Sequence, residues 1–281
     1  MDQESFHAVN AALRAAASLK LVPPVCAGSF EGSRTGSNTG GSMEFADYRS
    51  YREGDELRRV DWRLYARSEQ LMVRRFAQES DPRCDIIMDC SRSMDFYCKK
   101  AAAAGLAALF AKSALNAGFS LQVWCIHDTL LKMTTPETPE LWEIPERGGK
   151  ENAEVFQELR HGLFRNGVRV FISDLFFDLS PGELMKFLGG GNSVILQILG
   201  EEELSPVLSG SITVTDPESG RSKVLHGDAA VVERYRERLT HFQSEYAGVV
   251  RAHNSSIFFL NASVCLKEWN LESFCREGIL Q

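Results

Sequence analysis

The residues best placed to do chemistry lie in Cys84-Asp-Ile-Ile-Met-Asp-Cys-Ser-Arg-Ser-Met94. An apolar run ends in Asp89, and Ser91 and Ser93 follow at alternating positions before a helix begins. One carboxylate and two hydroxyls are hard oxygen ligands of the kind Mg²⁺ takes. Such a set leaves the cation short of negative charge, so a carboxylate from a partner would complete its coordination. A second apolar run, Val170-Phe-Ile-Ser-Asp174, also ends in an acid. Asp and Ser are equally ordinary helix caps. The same residues therefore also suit a metal-free interaction scaffold, in which Asp89, Ser91, Ser93 and Asp174 only hydrogen-bond their loops.

Other chemistries are less well served. A metal-dependent phosphohydrolase built on Asp89 needs further acids and an activated water. A haloacid-dehalogenase-like site would want an Asp where Ser91 stands. G-x-S-x-G, H-E-x-x-H and Walker A patterns are absent. His7, His127, His161, His226, His241 and His253 show no ligand spacing. A cysteine hydrolase using Cys90 would need a distant His. The expectation is a non-enzymatic protein with no catalytic residues and no organic cofactor.

These side chains need strands to carry them. Residues 84–88, 121–126, 168–172 and 193–199 read as apolar strands, with 130–133 as a short partner to the second. Helical patterns cover 5–20, 99–117 and 152–164, and Ser180-Pro-Gly-Glu183 opens another with N-cap, N1 proline and capping-box acid in place. Strands alternating with helices imply βαβ units and a mostly parallel sheet. In such sheets ligands bind beyond the carboxyl ends of the strands, where Asp89 and Asp174 fall. Towards the C-terminus, 212–215 and 223–225 flank Asp216-Pro-Glu-Ser-Gly220 as a hairpin. A helix over 228–251, a strand over 257–260 and a last helix over 266–277 complete the pattern.

Two segments stand apart. Residues 28–42 are rich in Gly, Ser and Thr without a phosphate-loop signature, and read as a flexible surface loop. From Glu44 to Glu79, eight Arg face eight acids, with Tyr48, Tyr51, Trp62, Tyr65 and Phe76 interleaved. Such a segment suits either a salt-bridged outer layer or a partner surface, since Arg and aromatics are enriched at binding hot spots.

At 281 residues, with 44% hydrophobic and 25% charged residues, the chain has an ordinary globular balance. Its net charge of −7 argues against general nucleic-acid binding. Seven cysteines, an odd number without a C-x-x-C pair, fit a reducing, cytoplasmic compartment, where the Asn254-Ser-Ser and Asn261-Ala-Ser sequons carry no meaning. The acidic N-terminus lacks the pattern of a signal peptide. The apolar stretch 101–111 is about half the length a membrane span needs.

Asp89-x-Ser91-x-Ser93-Met94 resembles the metal-ion-dependent adhesion site of von Willebrand factor A domains. The stretch Glu44-Phe-Ala-Asp-Tyr-Arg-Ser-Tyr-Arg-Glu-Gly-Asp-Glu-Leu-Arg-Arg-Val-Asp-Trp-Arg-Leu-Tyr-Ala-Arg67 is far more specific. It resembles the hallmark of the bacterial family "domain of unknown function 58", as do the Asp216–Gly220 turn and residues 251–260. The resemblance covers most of residues 28–281.

That resemblance implies a von Willebrand factor A-like, Rossmann-type doubly wound α/β sheet. It divides the chain into an N-terminal helix and loop (1–43), the hallmark segment (44–80), the core (81–204) and C-terminal hairpin and helices packed on it (205–281). It implies an adaptor for a MoxR-type AAA+ ATPase in chaperone-like assembly or activation of client proteins, in the family's short form without N-terminal membrane helices. Asp89, Ser91, Ser93 and Asp174 would hold Mg²⁺, and Arg49, Arg52, Arg58 and Trp62 would position the hallmark segment against the core or a partner. The chain departs from the von Willebrand A pattern in one respect. The second loop, expected near Arg147-Gly-Gly-Lys-Glu-Asn152, lacks the usual Thr. Lys150 would bring an ammonium there, and Glu151 or Asn152 a replacement oxygen.

Overall fold

The computed structural model describes residues 1–22, 43–52, 58, 60–78, 83–145, 167–190, 192–269 and 271–281. The Gly/Ser-rich loop, the helix read over 152–164 and Lys150, Glu151 and Asn152 lie outside them. The chain forms two compact units, one of residues 26–81 and one of residues 1–25 with 82–281.

Along the chain, α1 (Gln3–Ala15) precedes β1 (Met43–Ser50), α2 (Trp62–Ser68) and β2 (Met72–Gln78). Then come β3 (Arg83–Asp89), α3 (Lys99–Asn116), β4 (Ser120–Ile126), β5 (Leu130–Lys132) and β6 (Val168–Ser173). Next are α4 (Pro181–Phe187), β7 (Ser193–Leu199), α5 (Glu201–Leu204), β8 (Gly210–Thr215) and β9 (Ser222–Gly227). The chain closes with α6 (Ala229–Ala252), β10 (Ser256–Asn261), α7 (Ala262–Lys267) and α8 (Glu272–Arg276).

The larger unit is built on a six-stranded sheet in the order β10-β7-β6-β3-β4-β5. Every pairing in it is parallel except β4–β5. Alternating side chains feed two cores. Ile86, Met88, Val170, Ile172, Leu196 and Ile198 pack with α1 and α3 on one face. Ile87, Phe171 and Ile195 pack with Leu184, Met185, Tyr246 and Val250 of α4 and α6 on the other. The central strands are buried on both faces, which is why they read as unbroken apolar runs. β10, from the part of the chain read as decoration, is an edge strand of this sheet.

Local signals act as their chemistry requires. α3 is apolar nearly all round and correspondingly buried. The capping box forms at α4, with Glu183 N–H donating to Ser180 Oγ at 3.3 Å and Ser180 N–H donating to Glu183 Oε2 at 3.0 Å. The helix read over 266–277 is instead two short helices, α7 and α8. The chain leaves helix at Glu268 (φ −135°, ψ 106°), and Trp269 then packs so close to Gly105 of α3 that a Cβ there would collide with its ring. Burial of the indole overrides local helical preference. The first helix likewise ends at Ala15 rather than running to residue 20.

In the smaller unit β1 and β2 pair antiparallel, and an isolated bridge joins Val60 to Val73. Sequence reading found no strands there, because alternating charged residues mask the period. Among the described residues no helix is long and apolar enough to cross a membrane.

Candidate functional site

The chain runs from β3 outward to β4 and β5, then returns to the opposite side of β3 for β6 and β7. The strand order therefore reverses between β3 and β6, and the carboxyl ends of these two strands flank the crevice where such sheets bind ligands. Asp89 ends β3. Ser173 and Asp174 end β6.

Asp89 is buried, with 3% of its surface exposed. Its Oδ1 accepts from Ser91 N–H at 2.9 Å, and its Oδ2 accepts from the Ser173 hydroxyl at 2.6 Å. Ser91 Oγ and Ser93 Oγ share a hydrogen bond of 3.0 Å. The structure thus brings Asp89, Ser91 and Ser93 into one cluster and adds Ser173, which sequence reading passed over. Its only signal was a hydroxyl closing an apolar strand beside Asp174.

Asp174 is engaged differently. Its Oδ1 accepts from Phe176 N–H at 3.0 Å, and its Oδ2 accepts from the Lys99 ammonium at 2.9 Å. Lys99 also donates to Glu203 Oε1 at 2.6 Å. Glu203 Oε2 accepts from Gly200 N–H at 2.7 Å, which ties the end of β7 to the same network. Lys99 has no exposed surface. It opens α3, where the helix macrodipole disfavours a cation, so the two carboxylates offset both burial and dipole. Two lysines, Lys99 and Lys100, opening a helix that is otherwise apolar for its next eleven residues were the signal that could have found it.

A further acid comes from the hairpin. Glu218, in the β8–β9 turn, accepts from Ser93 N–H with Oε1 at 3.0 Å. Its Oε2 is shielded from solvent. A carboxylate thus lies on the Asp89–Ser93 loop, contributed from 125 residues away in sequence. Sequence reading recognised the Asp216–Gly220 turn but assigned Glu218 no role.

Backbone strain gathers around the same crevice. Tyr97 and Cys98 follow the loop at φ 55° and 60°, and Leu175 follows Asp174 at φ 64°. Left-handed conformations of non-glycine residues cost about 1–3 kcal/mol each and persist where surrounding contacts impose them. Phe96, Tyr97 and Phe176 are exposed beside these loops.

Burial pushes the Asp89 carboxyl up to about 6, with the nearby Asp174 charge adding to the shift and the Ser173 and Ser91 hydrogen bonds opposing it. Cys90 is held well above the ordinary thiol range by its hydrogen bond with Cys125 and by burial. It is a neutral thiol, a poor nucleophile. Among the described residues no group of three or more His, Cys, Asp and Glu is arranged to hold a metal ion. A cation at this site would depend on hydroxyl ligands. An octahedral Mg²⁺ with ligands at about 2.1 Å sets neighbouring oxygens roughly 3.0 Å apart, and the Ser91–Ser93 hydroxyl pair has that spacing.

The residues singled out in the hallmark segment lie in the smaller unit. Arg52, Arg58 and Trp62 are exposed and Arg49 is half-buried. Beside them Asp61 is buried and caps α2, accepting from Arg63 and Leu64 N–H at 3.0 and 3.1 Å with Oδ1. Its Oδ2 accepts from Tyr48 Oη at 2.8 Å, which fastens α2 to β1. Trp62 and Tyr65 meet edge to face at 6.2 Å between centroids.

Comparison with known families gives a match to "Protein of unknown function DUF58" over residues 47–245. The chain belongs to the DUF58 family. Its matched region runs from β1 into α6 and includes Asp89, Ser91, Ser93, Ser173, Asp174 and Glu218. Uncharacterized proteins of Mycobacterium bovis and Mycobacterium tuberculosis are 22% identical to this DUF58 chain over 262 residues, covering 86% of it and 81% of their own length.

Proposed function

We propose that this DUF58 protein is a non-enzymatic protein-binding module whose Asp89–Ser93 loop receives an acidic side chain of a partner. The observation that carries this reading is Glu218 Oε1 accepting from Ser93 N–H. The loop accepts a carboxylate in the folded chain, and the exposed Phe96, Tyr97 and Phe176 provide apolar contact around it. Aromatic anchors around a polar contact are the composition of binding hot spots.

In this reading the sheet is of the von Willebrand factor A type, and the partner is a MoxR-type AAA+ ATPase that the protein couples to its clients. Asp89, Ser91 and Ser93 hold Mg²⁺, with Asp174 close behind, and the cation draws the partner's carboxylate to the loop. The metal-free scaffold is the second reading, favoured by Lys99. That ammonium already pairs with Asp174 and Glu203, so a fixed cation sits behind the loop without any metal.

The functional test is capture of a co-expressed MoxR-type ATPase by wild type and Asp89→Ala. Capture by the wild type that the variant loses supports the module, and equal capture by both counts against the loop. Thermal unfolding with millimolar Mg²⁺ or Mn²⁺ separates the two readings. A ligand at one hundred times its Kd stabilises a fold by about 2.7 kcal/mol. A rise in Tm seen in wild type and absent in Asp89→Ala supports the cation, and no rise in either supports the scaffold.

A further inference from the structure

The β8–β9 hairpin has an unusual attachment. Its strands pair only with each other among the sheets of the described residues, and nearly all their side chains are exposed or half-exposed. A two-stranded ribbon of this kind has little intrinsic stability. Its ends meet at Gly210 and Gly227, which are paired across the ladder. Gly210 has φ +70°, a conformation that favours glycine. Gly227 is buried, so close to Leu208 that a Cβ there would collide with it, which leaves Gly210 as the open side of the base.

The tip, by contrast, is internally fastened. Asp216 Oδ1 accepts from Glu218 N–H at 2.9 Å, and Asp216 Oδ2 accepts from the Ser219 hydroxyl. Gly220 N–H donates to Asp216 O at 2.9 Å, and Asp216 N–H donates to Arg221 O at 2.9 Å. None of these bonds involves the rest of the protein, so the turn keeps its shape whether or not it touches the loop. Glu218 is presented by a preformed turn on a largely exposed two-stranded arm, with its carboxylate on Ser93 N–H.

We propose that the hairpin is a built-in occupant of the partner site. Glu218 takes the place of the partner's acid, and the partner gains the loop only when the hairpin tip withdraws from Ser93 N–H. This rests on the reading of the loop as a receptor for an acidic side chain, and it deepens that reading. The partner element is an Asp or Glu at the tip of a tight turn, and its affinity for the whole chain is reduced by the fraction of molecules in which Glu218 is seated.

The probe is a fluorescein-labelled, head-to-tail cyclised peptide of residues 210–227, with a second peptide carrying Leu in place of Glu218 as control. Binding to the full-length wild type and to full-length E218A is measured by anisotropy, and hydrogen exchange at the Ser93 amide is followed in both. E218A is expected to bind the Glu peptide at least ten-fold more tightly than wild type and to ignore the Leu peptide. Its Ser93 amide should exchange faster than in wild type and slow again when the Glu peptide is added. Equal, Glu-dependent binding to both chains overturns the built-in occupant and leaves the acid receptor standing. Binding that does not depend on the Glu, or none to either chain, overturns both. E218L, which keeps bulk but offers Ser93 N–H no acceptor, repeats the comparison if E218A fails to fold.

Discussion

The ammonium of Lys99 lies 2.9 Å from Asp174 Oδ2, and neither side chain is more than 1% exposed. Asp174 is therefore the partner of a lysine, while its charge still helps raise the Asp89 carboxyl. Asp174, at the end of β6, and Glu203, in the helix after β7, share this one buried cation.

Removing that cation leaves the buried Asp174 and the partly exposed Glu203 without their counter-charge. Breaking a buried pair by deleting one member costs about 3–5 kcal/mol. Lys99→Met is expected to lose stability in that range, measured by urea unfolding. Lys99→Met combined with Asp174→Asn should lose less than the sum of the two single changes. Additive losses would show that the pair is not coupled.

Asp89 is expected to leave a signature in the pH dependence of stability. Its folded carboxyl titrates near 6 against an ordinary value of 3.8, so the folded state holds its proton more tightly than the unfolded chain. The stabilisation from that proton is present in full below about pH 4 and is lost as pH rises through about 6. At roughly 1.4 kcal/mol for each unit of displacement, the swing is on the order of 3 kcal/mol. Unfolding from pH 3.5 to 7.5 should show this slope in wild type, and Asp89→Asn should flatten it.

Ser173 donates to Asp89 Oδ2 and so favours the charged carboxylate. Ser173→Ala removes that donor and should raise the Asp89 titration point further, while costing about 1–3 kcal/mol for the hydrogen bond left unmade. Carbon-detected NMR titration of the Asp89 carboxyl, alongside denaturant unfolding, checks both parts. A titration point that falls or stays fixed would refute this role for Ser173.

In the smaller unit, Asp61 does two jobs, capping α2 and anchoring Tyr48. Loss of an N-cap costs about 0.5–2 kcal/mol. Asp61→Ala should loosen α2 selectively. Amide exchange should accelerate at Arg63 and Leu64, which donate to the Asp61 carboxylate, and remain unchanged along β3 and β6. Asp61→Asn, which can still cap, should recover most of the protection.

Much of this was readable in the chain. Period and composition alone placed β3, β4, β6, β7 and α3, because strands buried on both faces and helices buried all round leave unbroken apolar runs. The capping box at Ser180 and the tight turn at Asp216 were equally legible, since their chemistry is contained within a few residues. So were Asp89, Ser91 and Ser93 as one loop. The tertiary structure alone decided what those groups face. Lys99 with Asp174 and Glu203, Ser173 with Asp89, and Glu218 with Ser93 are pairs separated by 75, 104, 84 and 125 residues. The break between α7 and α8 came likewise from Trp269 seeking Gly105. Local pattern records the preference of a residue for its own element. It carries no record of which distant charge or ring will compensate its burial, and that compensation settles when the sheet closes.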